Sequence, residues 1–156
     1  MNYFAYGSNM CTERLRRRVP SARPIRIAKL MNHSLRFHKR SKDHSGKCDA
    51  YFTGERKDTV WGVIFEIDPI DKPGLDNGEG LRHGYAETHS TVLDSDGNSH
   101  SVFMYTAEKT HIDPDLRPYS WYKRFVVEGA HQYSLPAEYI ATIESVSDIA
   151  DRKEDS

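Results

Sequence analysis

Short strand-like segments, several of them joined by tight turns, constrain the fold of this chain more than any other feature of its sequence. Runs of β-branched and aromatic residues bounded by glycine, proline and asparagine are typical of strands. Residues 94–97, Asp-Ser-Asp-Gly, are typical of a hairpin turn between the last two such runs. The seven runs cover residues 3–6, 25–30, 34–38, 49–54, 59–67, 85–93 and 101–106.

The helical segments between these runs are few and short. Helical patterns fit residues 10–18, 120–133 and 136–146. The sequence therefore predicts an α+β fold, a small closed or nearly closed mixed β-barrel of about six or seven strands flanked by helices. Residues 60–65 form the most apolar run, which predicts a central buried strand in which Gly62 allows a close backbone approach.

The length and charge of the chain limit its organisation and its partners. At 156 residues it is long enough for one domain with its own core. We predict a single domain over residues 1–146 and a charged C-terminal tail over residues 147–156 that frays. A net charge of -1, with no apolar run near the ~20 residues of a membrane span, predicts neither a nucleic-acid nor a membrane partner. The basic run from Arg14 to Arg18 is more typical of a solvated helix face.

The cysteines and histidines favour no metal site. Cys11 and Cys48 lack the spacing of a zinc knuckle or a disulfide framework. The eight histidines are scattered and contain no His-Glu-x-x-His pattern. The chain opens directly into a strand-like segment, without the basic and apolar regions of a signal peptide. We therefore expect a cytoplasmic protein with reduced cysteines and no metal.

The segment after the first strand is the first candidate site. Residues 7–9, Gly-Ser-Asn, end that strand and precede a helix. The first backbone N–H groups of a helix have no partner within it, and with the positive end of the helix dipole they suit an anion. The segment lacks the second glycine and the Lys-Ser/Thr pair of a phosphate-binding loop. We expect it to bind a carboxylate or small polar group, with Ser8 contributing its backbone rather than acting as a nucleophile.

Glu79 is the leading candidate for chemistry because it lies between two glycines, after a short helical segment and before a strand. Glycines beside a carboxylate let a ligand come close, whereas a solvated loop acid is the simpler alternative. Tyr6, Tyr85, Tyr105 and Tyr122 recur near these loops. Phenols can line a polar pocket, although most tyrosines serve packing.

Several short motifs follow one another along nearly the whole chain. They cover residues 3–10 (Tyr-Phe-Ala-Tyr-Gly-Ser-Asn-Met), 19–22 (Val-Pro-Ser-Ala), 60–63 (Val-Trp-Gly-Val), 76–80 (Asp-Asn-Gly-Glu-Gly), 121–124 (Trp-Tyr-Lys-Arg), 129–130 (Gly-Ala) and 135–139 (Leu-Pro-Ala-Glu-Tyr). In this order they resemble the γ-glutamylcyclotransferase family. Any one motif is weak, whereas this many in sequence are a specific signal.

The resemblance implies roles for the candidate residues. The Gly-Ser-Asn segment and Glu79 would face one cavity, and Glu79 would be the general acid/base. The residues that line the cavity and bind substrate would be Tyr6, Gly7, Ser8, Asn9, Tyr85, Tyr105 and Tyr122. Residues 6–9 among them would hold the substrate's α-carboxylate or neighbouring polar groups.

The implied reaction is the cyclisation of a γ-glutamyl group to 5-oxoproline with release of the attached amine or amino acid, an acyl-transfer or lyase chemistry. It needs no nucleophilic residue, metal or cofactor, and the partner is a small γ-glutamyl molecule. Residues 38–48 and 107–120 would form the leaving-group side. Relatives include dimers, which makes a homodimer possible. The alternatives are a non-catalytic small-molecule-binding protein that uses the same cavity and another γ-glutamyl-transfer or deprotection enzyme.

Overall fold

The computed structural model describes residues 1–151. Within them the chain forms seven β-strands, four α-helices and three short 3₁₀ helices. The strands are β1 (Asn2–Ala5), β2 (Arg23–Met31), β3 (His33–Arg40), β4 (Gly46–Phe52), β5 (Thr59–Glu66), β6 (Tyr85–Asp94) and β7 (Ser99–Ala107). The α-helices are α1 (Thr12–Arg16), α2 (Lys72–Glu79), α3 (Ser120–Gln132) and α4 (Ala137–Glu144). The 3₁₀ helices are Ser8–Met10, Pro69–Asp71 and Lys109–His111.

Five of the strands close into a barrel in the order β1–β5–β2–β6–β7. Neighbouring strands are antiparallel, and the closing pair β1–β7 is parallel. The predicted α+β class and barrel closure are confirmed, but the count of six or seven barrel strands is wrong. β3 and β4 form a separate two-stranded sheet. Because β5 and β6 occupy both edges of β2, the next strand in sequence has no edge of β2 to join.

β5 is the central buried strand that the apolar run predicts. It pairs with β1 on one side and with β2 on the other. Gly62 lies directly against β1, since a Cβ added there would stand 2.5 Å from the Ala5 carbonyl oxygen and 2.8 Å from the Phe4 ring. Any side chain at this position would push β1 away, so the glycine fixes the position of the strand that leads into the candidate loop.

The chain leaves β1 through the 3₁₀ turn Ser8–Met10 and then enters α1. The single helix expected over residues 10–18 is therefore split, because Cys11 has an extended backbone (ψ 104°) between the two pieces. α3 covers this turn closely. A Cβ added at Gly129 would lie 2.5 Å from Met10 Cβ, so the glycine in the Gly-Ala motif sets how near α3 comes to the turn.

Glu79 is the last residue of α2, which continues through the glycine-rich segment. Gly80 follows in the left-handed conformation (φ 71°, ψ 43°). Its N–H donates to the Asn77 carbonyl (3.2 Å), and the Leu81 N–H donates to the Asp76 carbonyl (3.0 Å). This is the Schellman pattern of helix termination, and glycine adopts it without steric cost. The helix therefore stops directly after Glu79 and presents that residue at its end.

The first part of the predicted tail is ordered against α3. The Ile149 N–H donates to the Pro118 carbonyl (2.8 Å), and the Ser120 N–H donates to the Ile149 carbonyl (2.9 Å). Asp151 accepts the Trp121 N–H at 2.9 Å. The expectation of fraying is therefore wrong for residues 149–151. The rest of the predicted tail, residues 152–156, lies outside the described residues.

Candidate active site

A small polar cavity opens where β1 ends and α2 ends. All eight residues predicted for the site line it, together with Tyr3 and Cys48, which the sequence analysis did not assign. The lining residues are Tyr3, Tyr6, Gly7, Ser8, Asn9, Cys48, Glu79, Tyr85, Tyr105 and Tyr122. Glu79 is the only carboxylate among these lining residues.

The Glu79 carboxylate is joined directly to the candidate loop. Asn9 Nδ2 donates to Glu79 Oε1 at 3.1 Å, and the Tyr3 hydroxyl donates to the same oxygen at 3.3 Å. Asn9 Nδ2 also donates to the Tyr3 hydroxyl at 3.1 Å. These three side chains form one closed hydrogen-bonded triangle, which orients the carboxylate. Asn9 and Glu79 meet in this triangle although they are 70 residues apart in sequence.

Burial raises the pKa of Glu79 above its ordinary value. The positive charges of Arg18, Arg14 and Lys39 and the hydrogen bond from Tyr3 act in the opposite direction and lower it, but burial is the largest effect. A carboxylate whose pKa is raised toward neutral pH is better suited to accept and return a proton.

Two arginines of the predicted solvated face instead pack against other parts of the protein near the cavity. The Arg14 guanidinium lies 4.6 Å from the centre of the Phe125 ring. Arg18 lies across Gly78, where an added Cβ would stand 2.5 Å from Arg18 Cδ. The expectation of a fully solvated basic face is therefore wrong for Arg14 and Arg18.

The turn at Ser8–Met10 carries free polar groups into the cavity. Met10 N–H donates to the Gly7 carbonyl (3.1 Å) and Cys11 N–H to the Ser8 carbonyl (3.2 Å), so the internal hydrogen bonds begin only at Met10. Within residues 1–151 the amides of Ser8 and Asn9 have no backbone acceptor. Asn9 Oδ1 is buried without a hydrogen-bond partner in the same part of the chain. The turn thus offers donors for an anion and one acceptor for an ammonium group.

The predicted pocket tyrosines are held by hydrogen bonds to the protein. The Tyr6 hydroxyl donates to the Tyr105 carbonyl and the Tyr105 hydroxyl to Asp76. The Tyr85 hydroxyl donates to the Cys48 carbonyl, and the Cys48 N–H donates to the Tyr122 hydroxyl (3.0 Å). Tyr6, Tyr85 and Tyr105 thus use their O–H groups within the protein, whereas the Tyr122 hydroxyl acts as an acceptor.

Burial also keeps the neutral groups of the cavity neutral. It raises the pKa of every lining tyrosine above the ordinary value, namely Tyr3, Tyr6, Tyr85, Tyr105 and Tyr122. Burial raises the pKa of the Cys48 thiol to about 12. Since the thiolate is the reactive form of cysteine, Cys48 is a wall of the cavity and not a nucleophile at neutral pH.

Side-chain contacts anchor α2 to the barrel. Lys72 bridges Asp76 on its own helix (2.7 Å) and Glu87 on β6 (2.5 Å). Asp76 in turn accepts the Tyr105 hydroxyl from β7. The helix that presents Glu79 is therefore fastened to two barrel strands by charged and hydrogen-bonded contacts.

Within residues 1–151, no group of three or more His, Cys, Asp or Glu side chains is placed to hold a metal ion. In the same residues, no helix has the length and apolar character needed to cross a membrane.

Comparison with known proteins gives consistent matches. The model of the AIG2-like family matches residues 59–143. The chain is 32% identical to a γ-glutamylcyclotransferase of Bos taurus over 149 residues, which covers 92% of this chain and 77% of the relative. It is 31% identical to the Homo sapiens γ-glutamylcyclotransferase with the same coverage.

Solved structures match the fold closely. A structure of a γ-glutamyl cyclotransferase superposes with a TM-score of 0.89 at 27% identity, covering 99% of this chain and 92% of that one. YkqA of Bacillus subtilis superposes with a TM-score of 0.78 at 21% identity, covering 96% of this chain and 56% of YkqA. The second likeness concerns the fold alone.

Proposed function

The chain belongs to the γ-glutamylcyclotransferase family, and on that premise we propose that it cyclises the γ-glutamyl group of a small molecule to 5-oxoproline. The observation that carries the proposal is the partly buried Glu79 carboxylate, hydrogen-bonded to Asn9 beside a turn with free backbone donors. The product amine or amino acid would leave from the former γ-amide. A homodimer stays a prediction of the family resemblance.

In this reaction the α-amine of the glutamyl group attacks its own γ-carbonyl carbon. A C–N bond forms within the five-membered ring, the original amide C–N bond breaks, and the leaving nitrogen takes up a proton. Both reacting groups belong to one molecule, so orientation alone can lower the barrier by several kcal/mol. The cavity has to fold the glutamyl chain into a ring-like conformer, take the free amine form of the α-nitrogen, and move a proton from that nitrogen to the leaving nitrogen.

Each group of the turn and of α2 has a task in this proposal. The Ser8 and Asn9 amides would bind the substrate α-carboxylate, and Asn9 Oδ1 would accept a hydrogen bond from the α-ammonium. The α-ammonium would first release one proton to solvent to become a nucleophilic amine. Glu79 would take the second proton from that nitrogen as the ring C–N bond forms and deliver it to the leaving nitrogen as the amide C–N bond breaks. Its raised pKa supports both steps, because a more basic carboxylate accepts the proton more readily and can still release it.

The test is the turnover of a panel of γ-glutamyl compounds by the wild-type protein and by Glu79→Gln, with 5-oxoproline as the readout. We expect kcat/KM to fall by about 10³-fold or more, because general acid–base catalysis by one side chain contributes 10²–10⁴-fold. The exposed Glu138 on α4 gives a matched control, and Glu138→Gln should keep the wild-type rate.

Three outcomes separate the readings. Retention of the native rate in Glu79→Gln would disprove the role of Glu79. Tight binding of γ-glutamyl compounds by the wild-type protein without any 5-oxoproline would favour a non-catalytic binder. Transfer of the glutamyl group to an added amine, without ring closure, would favour the other γ-glutamyl-transfer reading.

A further inference from the structure

Helix α2 carries two glycines on one face, and both lie against Arg18. Gly74 and Gly78 are four residues apart, which places them on the same side of the helix. A Cβ added at Gly74 would stand 3.2 Å from the Arg18 carbonyl oxygen, and one added at Gly78 would stand 2.5 Å from Arg18 Cδ. Glycine weakens a helix relative to alanine. This glycine face, defined as Gly74 and Gly78, lets Arg18 lie closer to the α2 backbone than any side chain would allow.

The Arg18 guanidinium lies over the last turn of α2. The Cβ added at Gly78 would also stand 2.8 Å from Arg18 Nε and 2.9 Å from its Nη1. Gly78 directly precedes Glu79, and Glu79 is the last residue of the helix. The positive charge is therefore held at the helix end that presents the candidate acid/base.

Two properties of this helix end oppose an ionised Glu79. The C-terminus of a helix is the negative end of its dipole, which disfavours an anion there. The cavity also removes part of the water around the carboxylate, and loss of water disfavours the charged form. A cation at the same helix end offsets both effects, because it is favoured by the dipole and attracts the carboxylate.

Three cations surround Glu79, and Arg18 has the strongest effect on it. Arg18, Arg14 of α1 and Lys39 of β3 all favour the ionised carboxylate, in that order. Arg14 lies over the Phe125 ring, so it is not confined to the helix end as Arg18 is. The other titratable groups that line the cavity are neutral at pH 7, because burial raises their pKa: Tyr3, Tyr6, Cys48, Tyr85, Tyr105 and Tyr122.

Arg18 supplies this charge without touching the carboxylate. Within residues 1–151 its side chain forms no ion pair and no hydrogen bond. Asp76, the other acid of α2, is already paired with Lys72 (2.7 Å), which leaves Glu79 as the acid of this helix without an ion pair. A guanidinium in direct contact would occupy the carboxylate oxygens and hold them strongly ionised. An arginine beside the helix end favours the anion and leaves its oxygens free for proton transfer.

We propose that Arg18 is a positioning residue of the reaction: it holds a positive charge across the glycine face of α2 and so keeps Glu79 ionised and ready to accept a proton. The inference rests on the proposed function, and it adds a residue that acts through Glu79 rather than on the substrate. It also gives Gly78 a task, since only glycine at this position lets the charge lie at the helix end.

The test is the pH dependence of kcat/KM for 5-oxoproline release from γ-glutamylalanine, in wild type and in Arg18→Met. Removal of the charge raises the pKa of Glu79, so the acid limb should move to higher pH. On that limb kcat/KM should fall by about threefold to tenfold, the effect of one charge a few ångströms away, and above it the rate should stay within about twofold of wild type. Arg18→Lys should restore the limb. Arg17 is exposed and paired with Glu13 (3.7 Å), and Arg17→Met should change nothing.

Gly78→Ala tests the same contact without removing the charge. The new Cβ would displace the Arg18 side chain, so the acid limb should move in the same direction by a smaller amount. Alanine favours the helix relative to glycine, which separates this shift from a loss of helix stability. Gly74→Ala is the control on the same face, because its Cβ would meet only the Arg18 backbone, and it should leave the limb in place.

An equal loss at every pH in Arg18→Met, with the acid limb unmoved, would overturn the inference, because Arg18 would then serve only the fold. It is overturned as well if Arg18→Lys behaves like Arg18→Met or if Arg17→Met moves the limb as far, and the proposed function would stand in each case. If no γ-glutamyl compound releases 5-oxoproline, the proposed function fails. A ¹³C NMR titration of the Glu79 carboxyl carbon, assigned with Glu79→Gln, then decides the inference: it stands only if Glu79 titrates at higher pH in Arg18→Met than in wild type. Should Arg18→Met not fold, the same titration of Gly78→Ala decides it.

Discussion

The lining of the cavity and the β3–β4 hairpin beside it hold charge in different ways. On the head side, defined as Asn9 and Glu79, the carboxylate accepts hydrogen bonds from Asn9 and Tyr3 before any substrate arrives. On the hairpin side, defined as Lys39 and Lys47, two ammonium groups lie over aromatic rings and form no ion pair within the described residues. The carboxylate is positioned by hydrogen bonds, whereas the two ammonium groups form neither a hydrogen bond nor an ion pair within the described residues, and Lys39 acts on Glu79 through its charge alone.

This difference matches the roles that we expect of the head side and the hairpin side. A proton-transfer group acts on every substrate, so its orientation can be fixed in advance, and preorganised groups cost no rearrangement during the reaction. A charge that makes no contact cannot orient the carboxylate, but it favours the ionised form. The comparison therefore predicts that head-side variants lower the rate at every pH, whereas a variant that displaces Lys39 moves the acid limb of the pH–rate profile and keeps the rate above it.

The sharpest test of the head side is Asn9→Ala, which removes one hydrogen bond to Glu79 and keeps the carboxylate. We expect kcat to fall about a hundredfold at every pH, because a small misplacement of a catalytic group costs this much. Loss of a donor that favours the ionised form also raises the pKa of Glu79 further. The acid limb of the pH–rate profile should therefore move to higher pH.

The exposed Asn77 on α2 provides the control, and Asn77→Ala should leave both the rate and the profile unchanged. A fall in rate without movement of the acid limb would mean that Asn9 serves only the fold. A loss confined to the acid limb would remove the distinction between the head side and the hairpin side.

The hairpin side is tested without touching a lysine by Gly84→Ala. The new Cβ would meet the Lys39 ammonium and displace its charge, so kcat/KM should fall by roughly twofold to fivefold on the acid limb and stay near wild type above it. Gly84 also has a positive φ of 115°, and alanine there would cost about 1 kcal/mol or more in stability. Steady-state kinetics across the pH range and thermal unfolding separate the two effects.

Gly97→Ala is the matched control for this strain. Gly97 has a positive φ of 82° and nothing within 4 Å of an added Cβ. It should lower the free energy of unfolding by a similar amount and leave the acid limb in place. If Gly97→Ala moved the acid limb as much as Gly84→Ala, general destabilisation would explain both, and the contact with Lys39 would explain neither.

The head side could be predicted because its signals are local. A strand that ends in Gly-Ser-Asn and an acid between two glycines are visible in short windows of sequence. Tyr3 was not assigned to the site, because β1 is buried on both faces (Tyr3 3%, Phe4 0% and Ala5 1% exposed) and strand alternation does not show which residue faces the cavity. The contact between Asn9 and Glu79 depends on barrel closure, which no local pattern encodes.

The hairpin side could not be predicted for a different reason. A lysine at a strand end beside a polar loop is typical of a solvated position. Here the β3–β4 register shifts between Arg36 and Lys39, and one such shift exchanges the inward and outward faces of a strand. The number of barrel strands was wrong for a related reason, since a strand pattern does not say which sheet edge the strand will join.

The smallest effect we expect is on stability. It tests whether placing the Glu79 carboxylate in the cavity lowers the free energy of unfolding. Burial raises the pKa of Glu79, so the folded protein binds a proton more readily than the unfolded chain. The stability that Glu79 contributes is therefore fully present below the unfolded pKa and is lost as the pH rises through the folded value. Glutamine is neutral throughout, so Glu79→Gln should unfold at a higher temperature than wild type at pH 8, and the difference should shrink toward pH 5. A gain of about 1 kcal/mol would appear as ~2–4 °C in Tm.

If Glu79→Gln instead unfolded at a lower temperature at pH 8, the hydrogen bonds from Asn9 and Tyr3 would outweigh the effect of burial. The head side would then stabilise the fold as well as orient the carboxylate.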